Sequence, residues 1–385
     1  MKILYHHRTR SKDGQSVHID EMIGALRALG HEVIVVAPPS AAGSAFGSDA
    51  GFVTWLKRLL PRFVYELMEL AYSLAAYRRL AQAVERHRPD CLYERYNLFL
   101  PAGVWIKRRY GIPMLLEINS PIFEERAEYD GLALRRLARW SQRYAWRAAD
   151  YVLPVTAVLA DIVASYGVER ARIVVIPNGI NAARFGDLHD LQGAKRALGL
   201  QDALVLGFTG FVRDWHGLDK VIAMMADGAA LAHCHLLVVG DGPARAGLEK
   251  QARALGVDGR VTFTGVVQRD DVARHVAAFD IALQPAVVAY ASPLKLFEYL
   301  ALGKAIVAPA QANIAEILTD DDNALLFDPH DPNGLPAALD RLCADAALRQ
   351  RLAGKARATI VELGLTWDAN AQRAVDLFAR LAAHA

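Results

Sequence analysis

A chain of 385 residues is long enough for two or three domains. Its 53% hydrophobic and 22% charged content is that of a globular enzyme with substantial cores. A formal net charge of +2 carries no global basic excess, so nothing in the overall balance points to nucleic acid as a partner.

Cys91, Cys234 and Cys343 are far apart, odd in number and form no Cys-x-x-Cys pair. That spacing argues against a disulfide framework or a zinc site, and a reducing compartment fits it best. The start, Met1-Lys2-Ile3-Leu4-Tyr5-His6-His7, is too polar for a secretory signal. No uncharged apolar run approaches the length needed to span a bilayer. The expectation is a cytoplasmic protein, or one held peripherally on the inner face of the cytoplasmic membrane.

In chain order, short apolar runs alternate with longer helical patterns. Strands are expected at residues 3–5, 33–37, 91–93, 114–117, 151–154 and 173–176, then at 204–209, 235–239, 261–264, 281–284, 305–308 and 324–327. Such alternation predicts parallel sheets covered by helices on both faces, and two such series predict two doubly wound α/β domains. Ligands of doubly wound sheets bind outside the carboxyl ends of the strands. The turn signal Pro177-Asn178-Gly179 marks the boundary. Trp367, Ala371, Val375, Phe378 and Leu381 fall near helical spacing in a terminal helix over residues 366–385.

The first strand leads into Asp13-Gly14-Gln15-Ser16, and a helix is expected from about Val17 to Gly30. A glycine there would let backbone N–H groups approach an anion at a helix start. A plain strand-to-helix loop explains the same residues equally well. In the second half, the run from Gly207 to Gly217 includes Gly210, Arg213 and His216 and lies between a strand and a helix. Arg213 could grip a phosphate through its planar fork, or form a surface salt bridge. His216 could serve a ligand, or cap and pack the turn. Two more strand-to-glycine junctions follow, Val239-Gly240-Asp241-Gly242-Pro243 and Thr264-Gly265-Val266-Val267. In Ser292-Pro293-Leu294-Lys295-Leu296-Phe297-Glu298, Pro293 suits a helix start and places Lys295 beside free N–H groups. Glu298 follows one turn later, as a ribose acceptor or as the ion-pair partner of Lys295.

In this order and spacing, these segments resemble the retaining glycosyltransferases of family four. The resemblance covers nearly the whole chain and implies the GT-B fold, two facing Rossmann-like doubly wound parallel-sheet domains with an interdomain cleft. It implies an acceptor-binding domain over residues 1–180, a donor-binding domain over 181–365, and a last helix crossing back to the first. It further implies that Gly14, Gln15 and Gly210 approach the donor phosphates or sugar. Arg213 and Lys295 would bind the diphosphate, with His216 as a cationic partner where the family usually has lysine. Gly242, Pro293 and Leu294 would line the same site, Glu298 would hold the ribose, and Val266 and Val267 would contact the base. Two departures matter. The family's paired glutamates lie eight positions apart; Glu298 matches the second, but Tyr290 stands at the first. The family's histidine after the fourth strand is replaced by Asn119, which with Glu117 would supply the polar contacts there, or simply shape the loop before Pro121.

The resulting expectation is a hexosyltransferase moving a sugar, with retention, from a UDP- or GDP-sugar to a hydroxyl of a glycan or lipid-linked acceptor in cell-surface polysaccharide or glycoconjugate synthesis. Neither cofactor nor metal is expected, since His6 and His7 are adjacent and would point to opposite faces of a strand. A nucleotide-sugar 2-epimerase and a non-catalytic sugar-nucleotide-binding subunit are the alternatives. A dehydrogenase is disfavoured because no Gly-x-Gly-x-x-Gly follows the first strand. For the acceptor side, Arg135, Arg139, Arg143 and Arg147 recur every four residues beside Leu137, Trp140 and Tyr144, and residues 132–148 contain no acid. A second basic and apolar cluster spans residues 55–63. Either could contact an anionic membrane, or be an ordinary packed helix with solvated arginines.

Overall fold

The computed structural model describes residues 1–9, 14–38, 60–185, 190–227 and 229–383. Asp13 and residues 55–59 of the second basic cluster lie outside them. The chain divides into two compact units, one of residues 1–177, 290–292 and 367–385, the other of residues 178–289 and 293–366.

The first unit carries the strands β1 (Lys2–His6), β2 (Glu32–Val36), β3 (Cys91–Arg95), β4 (Met114–Ile118) and β5 (Tyr151–Pro154), all parallel in the order β2-β1-β3-β4-β5. Its longer helices are α1 (Gly14–Ala28), α2 (Arg62–His87), α3 (Ala102–Tyr110), α4 (Arg135–Ala148) and α5 (Ala157–Ser165). The second unit carries β6 (Leu204–Thr209), β7 (Cys234–Val239), β8 (Val261–Phe263), β9 (Ile281–Leu283), β10 (Ala305–Pro309) and β11 (Leu325–Phe327), parallel in the order β11-β10-β9-β6-β7-β8. Its longer helices are α6 (Leu218–Asp227), α7 (Arg245–Ala254), α8 (Leu294–Ala301), α9 (Gly334–Ala344) and α10 (Ala346–Glu362). The terminal helix α11 (Trp367–Ala383) packs along α1 in the first unit.

Strand residues alternate between two cores, as the two-residue period requires. In the second unit Leu206, Phe208, Leu236, Val238, Ile281 and Val307 face one apolar layer, with residues of α6, α7 and α9. Val205, Leu237, Val239, Ala282 and Ile306 face the other, with residues of α8 and α10. Burial on both faces explains why these strands read as continuous apolar runs.

The sixth strand expected at residues 173–176 does not form. Ile173 makes a single bridge to Val152, and the N–H groups of Val174 and Ile176 donate to the carbonyls of Val152 and Pro154, each at 3.0 Å. The reciprocal rung would need an N–H from Pro154, which proline lacks. The segment therefore lies along the edge of β5 with one bridge and no continued ladder. α1 also begins at Gly14 rather than near Val17. Residues 290–292 fall in the first unit although the sequence placed them within the second half.

The three cysteines are unpaired, yet Cys234 and Cys343, 109 residues apart, bring their sulfurs to 3.6 Å. Among the described residues no helix is long and apolar enough to cross a membrane.

Gly207 sits in β6 against the ring of Phe279, so a Cβ added there would come within 2.0 Å of a ring atom. Phe279 is itself 1% exposed, packed in the core of this unit. Gly207→Ala should therefore destabilise the protein by about 1–3 kcal/mol, the usual range for overpacking. Urea denaturation checks this, and an unchanged midpoint would mean that Phe279 has room the structure does not show.

Candidate active site

In the second unit the chain runs from β6 outward to β7 and β8, then returns to β9 on the other side of β6. That reversal puts the ligand crevice of a doubly wound sheet at the carboxyl ends of β6 and β9. Three glycines crowd the neighbouring strand ends. Gly210 follows β6 with φ +130°, Gly240 follows β7 with φ +138°, and Gly265 follows β8 with φ +71°. Gly240 and Gly265 form a bridge, and Gly210 donates its N–H to the carbonyl of Val239 at 2.9 Å. A Cβ on Gly240 would fall 2.1 Å from the carbonyl oxygen of Gly210, and one on Gly242 would fall 2.1 Å from that of Val212. The two turns thus meet backbone to backbone, which only glycine allows.

Lys295 lies over these turns. It is in the first turn of α8, whose N-cap is Pro293, followed by Leu294. A Cβ on Gly210 would lie 3.3 Å from Lys295 Cε and 3.6 Å from Nζ. The amine also sits 4.2 Å from the centre of the Phe208 ring. Burial lowers its pKa from the usual lysine value to about 8, with Glu298 opposing the fall. Burial likewise raises Glu298 to about 7, opposed by Lys295 and Arg269. The two make no direct ion pair, and Glu298 Oε2 is buried without a hydrogen-bond partner. Arg213 is held by rings rather than by a carboxylate, its guanidinium carbon 4.8 Å from the centres of both Phe211 and Trp215. The salt-bridge alternative for Arg213 is not what forms.

His216 differs from the expected cation. Its Nδ1 accepts the backbone N–H of Arg213 at 3.2 Å, and its ring packs against Phe208. Burial, then the charges of Lys295 and Arg213, lower its pKa to about 2. With Nδ1 accepting from the backbone, Nε2 is the ring position left to meet a ligand. Val266 is 55% exposed beyond Gly265, whereas Val267 packs on the core.

In the first unit the corresponding reversal lies between β1 and β3. His6 Nδ1 and Glu94 Oε2 meet there at 2.6 Å, both buried. Next to them Glu117 is fully enclosed. Its oxygens take the Tyr93 hydroxyl at 2.8 Å, His18 Nε2 at 3.0 Å, the Arg95 guanidinium and the Asn119 amide. Burial alone would raise its pKa, but the nearby His18 and Arg95 and the hydrogen bond from Tyr93 outweigh that and hold the carboxyl well below the usual range. With both oxygens engaged, Glu117 positions its neighbours rather than facing solvent. Asn119 spends its Nδ2 on Glu117, which leaves its carbonyl oxygen to accept from a ligand. Tyr290 also stays in this unit, its hydroxyl donating to Glu125 at 2.5 Å and its carbonyl accepting from Thr156 at 2.9 Å. Gln15 is exposed on α1, where its Oε1 accepts from the Thr9 hydroxyl at 3.5 Å; Gly14 is the first residue of that helix. Among the described residues no group of three or more His, Cys, Asp or Glu side chains forms a metal-ligand set.

Residues 13–179 match the Glycosyl transferase 4-like domain family, and residues 203–345 match the Glycosyl transferases group 1 family. The chain is a GT-B glycosyltransferase of the group 1 family. It is 27% identical to a D-inositol 3-phosphate glycosyltransferase of Nocardioides over 81% of this chain and 72% of the relative. It is 24% identical to a GDP-mannose-dependent alpha-mannosyltransferase of Mycobacterium tuberculosis over 92% and 89%. Its fold is that of Anabaena HepE, solved in complex with UDP, with a TM-score of 0.77, 18% identity and coverage of 99% and 100%.

Within this glycosyltransferase, the structure gathers Gly210, Gly240, Gly265, Lys295, Glu298, Arg213 and His216 in one unit. Glu117, Asn119, Gly14 and Gln15 belong to the other. The sequence reading missed the His18, Tyr93 and Arg95 contacts to Glu117 and the His6–Glu94 pair. One signal was available, since Glu94 and Arg95 end an otherwise apolar strand and a buried charge needs a partner.

Because a Cβ on Gly240 meets backbone rather than a flexible side chain, Gly240→Ala should disrupt the glycine turns and weaken nucleotide binding by at least about tenfold. Gly247, within α7, has nothing within 4 Å of its added Cβ. Gly247→Ala should leave binding intact and stabilise the protein by about 0.4–1 kcal/mol. Paired calorimetric titration and thermal melting distinguish the two, and equal behaviour would refute the close-approach argument.

Proposed function

We propose that this glycosyltransferase moves a hexose from a UDP- or GDP-sugar, with retention, to a hydroxyl of a glycan or lipid-linked acceptor during cell-surface polysaccharide or glycoconjugate synthesis. It works at the cytoplasmic face of the membrane. The observation that carries the donor reading is Lys295 poised over the Gly210 turn, with an unbonded Glu298 oxygen one helical turn away. A diphosphate fits the former and a ribose hydroxyl fits the latter.

Arg213, Lys295 and the free N–H groups at the start of α8 supply fixed positive charge. Cleavage of the bond between the anomeric carbon and the phosphate oxygen leaves a negative diphosphate, which those groups stabilise without rearranging. His216 contributes one neutral N–H. The acceptor hydroxyl attacks the anomeric carbon on the face the diphosphate leaves, and its proton passes to the departing phosphate oxygen. This route calls for neither a metal nor a cofactor. Gly242 and Leu294 line the phosphate turn, and the exposed Val266 with Val267 receives the base. Asn119, oriented by Glu117, offers its carbonyl oxygen to a sugar hydroxyl.

The M. tuberculosis relative is named for GDP-mannose and the HepE structure holds UDP, so the donor base is tested as a panel. Calorimetric titration with UDP, GDP, ADP, dTDP and CMP should reveal one tight diphosphate, lost in both Arg213→Ala and Lys295→Ala. Loss of one charged hydrogen-bonding group should cost about 1.5–3 kcal/mol, or roughly ten- to 150-fold in affinity. No binding by any nucleotide would sink the donor site.

The pH dependence has a definite sign. A diphosphate favours protonated Lys295, whose pKa without ligand is about 8. Affinity is therefore fully present below that value and falls as pH rises through it, with proton uptake on binding. Lys295→Arg, always charged, should flatten the profile between pH 7.5 and 9.5, roughly the range in which lysine with this depressed pKa changes charge. A parallel fall in wild type and variant would assign the effect to another group.

A further inference from the structure

The outer face of α4 concentrates exposed arginines on one helix. Some arginines elsewhere meet acids: Arg126 meets Glu69, Arg170 meets Asp161, and Arg341 and Arg351 share Asp321. Arg135, Arg139, Arg143 and Arg147 are all exposed, and none makes an ion pair among the described residues. The helix buries the opposite side through Ala138, Ser141, Gln142, Ala145 and Trp146. Trp140, 52% exposed, lies among the arginines and stacks on Tyr144 at 5.2 Å. Arg108, from α3, lies 5.0 Å from the centre of the Tyr144 ring and makes no ion pair among the described residues. Arg143 and Arg147 converge at the Gly167 turn, their nitrogens 4.0 Å and 3.9 Å from a Cβ added there.

The helix end opens into a cavity of about 590 Å³. Two of the cations lining it are already committed. Lys107 holds Asp150 and the carbonyl of Ala148, and Arg172 holds the carbonyls of Asp150, Arg147 and Ala149. The open charge at its rim is that of Arg108 and Arg147.

Like charges held together without an acid repel one another and lower stability unless an external anion joins them. The chain's net charge of +2 makes this concentration local. A stripe of guanidinium groups about 20 Å long, at 1.5 Å per residue, with a half-exposed indole between them, matches an anionic bilayer. Arginine pairs with lipid phosphate and tryptophan settles at the headgroup level. A soluble polyanion would be met by the charge alone and gives the indole no role. We propose that this face of α4, with Arg108, docks the enzyme on an anionic phospholipid surface. The inference rests on the lipid-linked-acceptor reading above and gives that reading its surface.

The test is co-sedimentation of the full chain with phosphatidylcholine vesicles, with and without 30% phosphatidylglycerol, a composition roughly like that of anionic membranes. Binding should require the anionic lipid and be released at about 0.5 M NaCl, where screening is nearly complete over a few ångströms. At roughly 1 kcal/mol per basic residue, the triple variant Arg139→Gln, Arg143→Gln, Arg147→Gln should bind about 100-fold more weakly. Trp140→Ala should weaken it further with no change in salt sensitivity. Nucleotide binding by the same variants reports folding and should be unchanged, which separates this inference from the donor site. Equal binding to neutral vesicles, an unaffected triple variant, or selective binding to a soluble acidic polysaccharide instead of vesicles would each overturn the proposal. Should the triple variant fail to fold, the salt and lipid dependence of the wild type decides alone.

Discussion

The candidate site of the second unit depends on one constraint, the contact of two glycine turns at the carboxyl ends of β6 and β7. No side chain fits between Gly240 and the carbonyl of Gly210. The Lys295 side chain lies beside Gly210, its Cε 3.3 Å from a Cβ placed there. Arg213, three residues on, lies 4.8 Å from the ring centres of Phe211 and Trp215. Two cations are thereby fixed without acids to neutralise them. Fixed, unpaired, partly desolvated charge is costly in the free protein, as the lowered Lys295 and raised Glu298 pKa values indicate. An incoming anion relieves that cost, which favours binding of exactly the groups that develop charge in the reaction.

The first unit uses charge in the opposite manner. Glu117 is surrounded by His18, Arg95, Tyr93 and Asn119, which together satisfy it. These partners come from α1, β3 and the end of β4, so a single carboxylate ties three elements at their ligand-facing ends. His18 extends the tie to α11, its ring edge-on to Trp367 at 4.7 Å. A buried carboxylate with both oxygens engaged specifies geometry, because left alone it would be expensive. It fixes the direction of the Asn119 amide, and the free carbonyl oxygen follows from that.

The fold was largely legible in the sequence because parallel strands buried on both faces leave unbroken apolar runs. Eleven of the strand segments formed, with ends shifted by at most two residues. The exception at residues 173–176 turned on Pro154 lying in the neighbouring strand, a pairing that a linear reading does not contain. The site was legible where backbone chemistry dictates residue type, as at Gly210, Gly240 and Pro293. Protonation was less so. His216 occupies a position that suggests a cation, but its charge is set by the burial and the neighbouring Lys295 that only the folded chain supplies. Cys234 and Cys343 make the same point, since their 109-residue separation concealed a 3.6 Å approach.

Charge placement separates structural arginines from those left for a ligand. Arg172 spends its guanidinium on three carbonyls and Arg95 on Glu117, and both are accounted for by the fold. Arg213 and the outward arginines of α4 are held by aromatic rings or by their helix alone. A ring orients a guanidinium without cancelling its charge, whereas a carboxylate does both. Arg213 over Phe211 and Trp215, Arg108 over Tyr144, and Arg139 over Tyr166 follow the same pattern in different places. In each, the protein has invested packing to keep a cation in place while leaving its charge uncompensated. A guanidinium held in this way keeps its charge available to an external anion, which is the common premise of the proposed donor site and the proposed docking face.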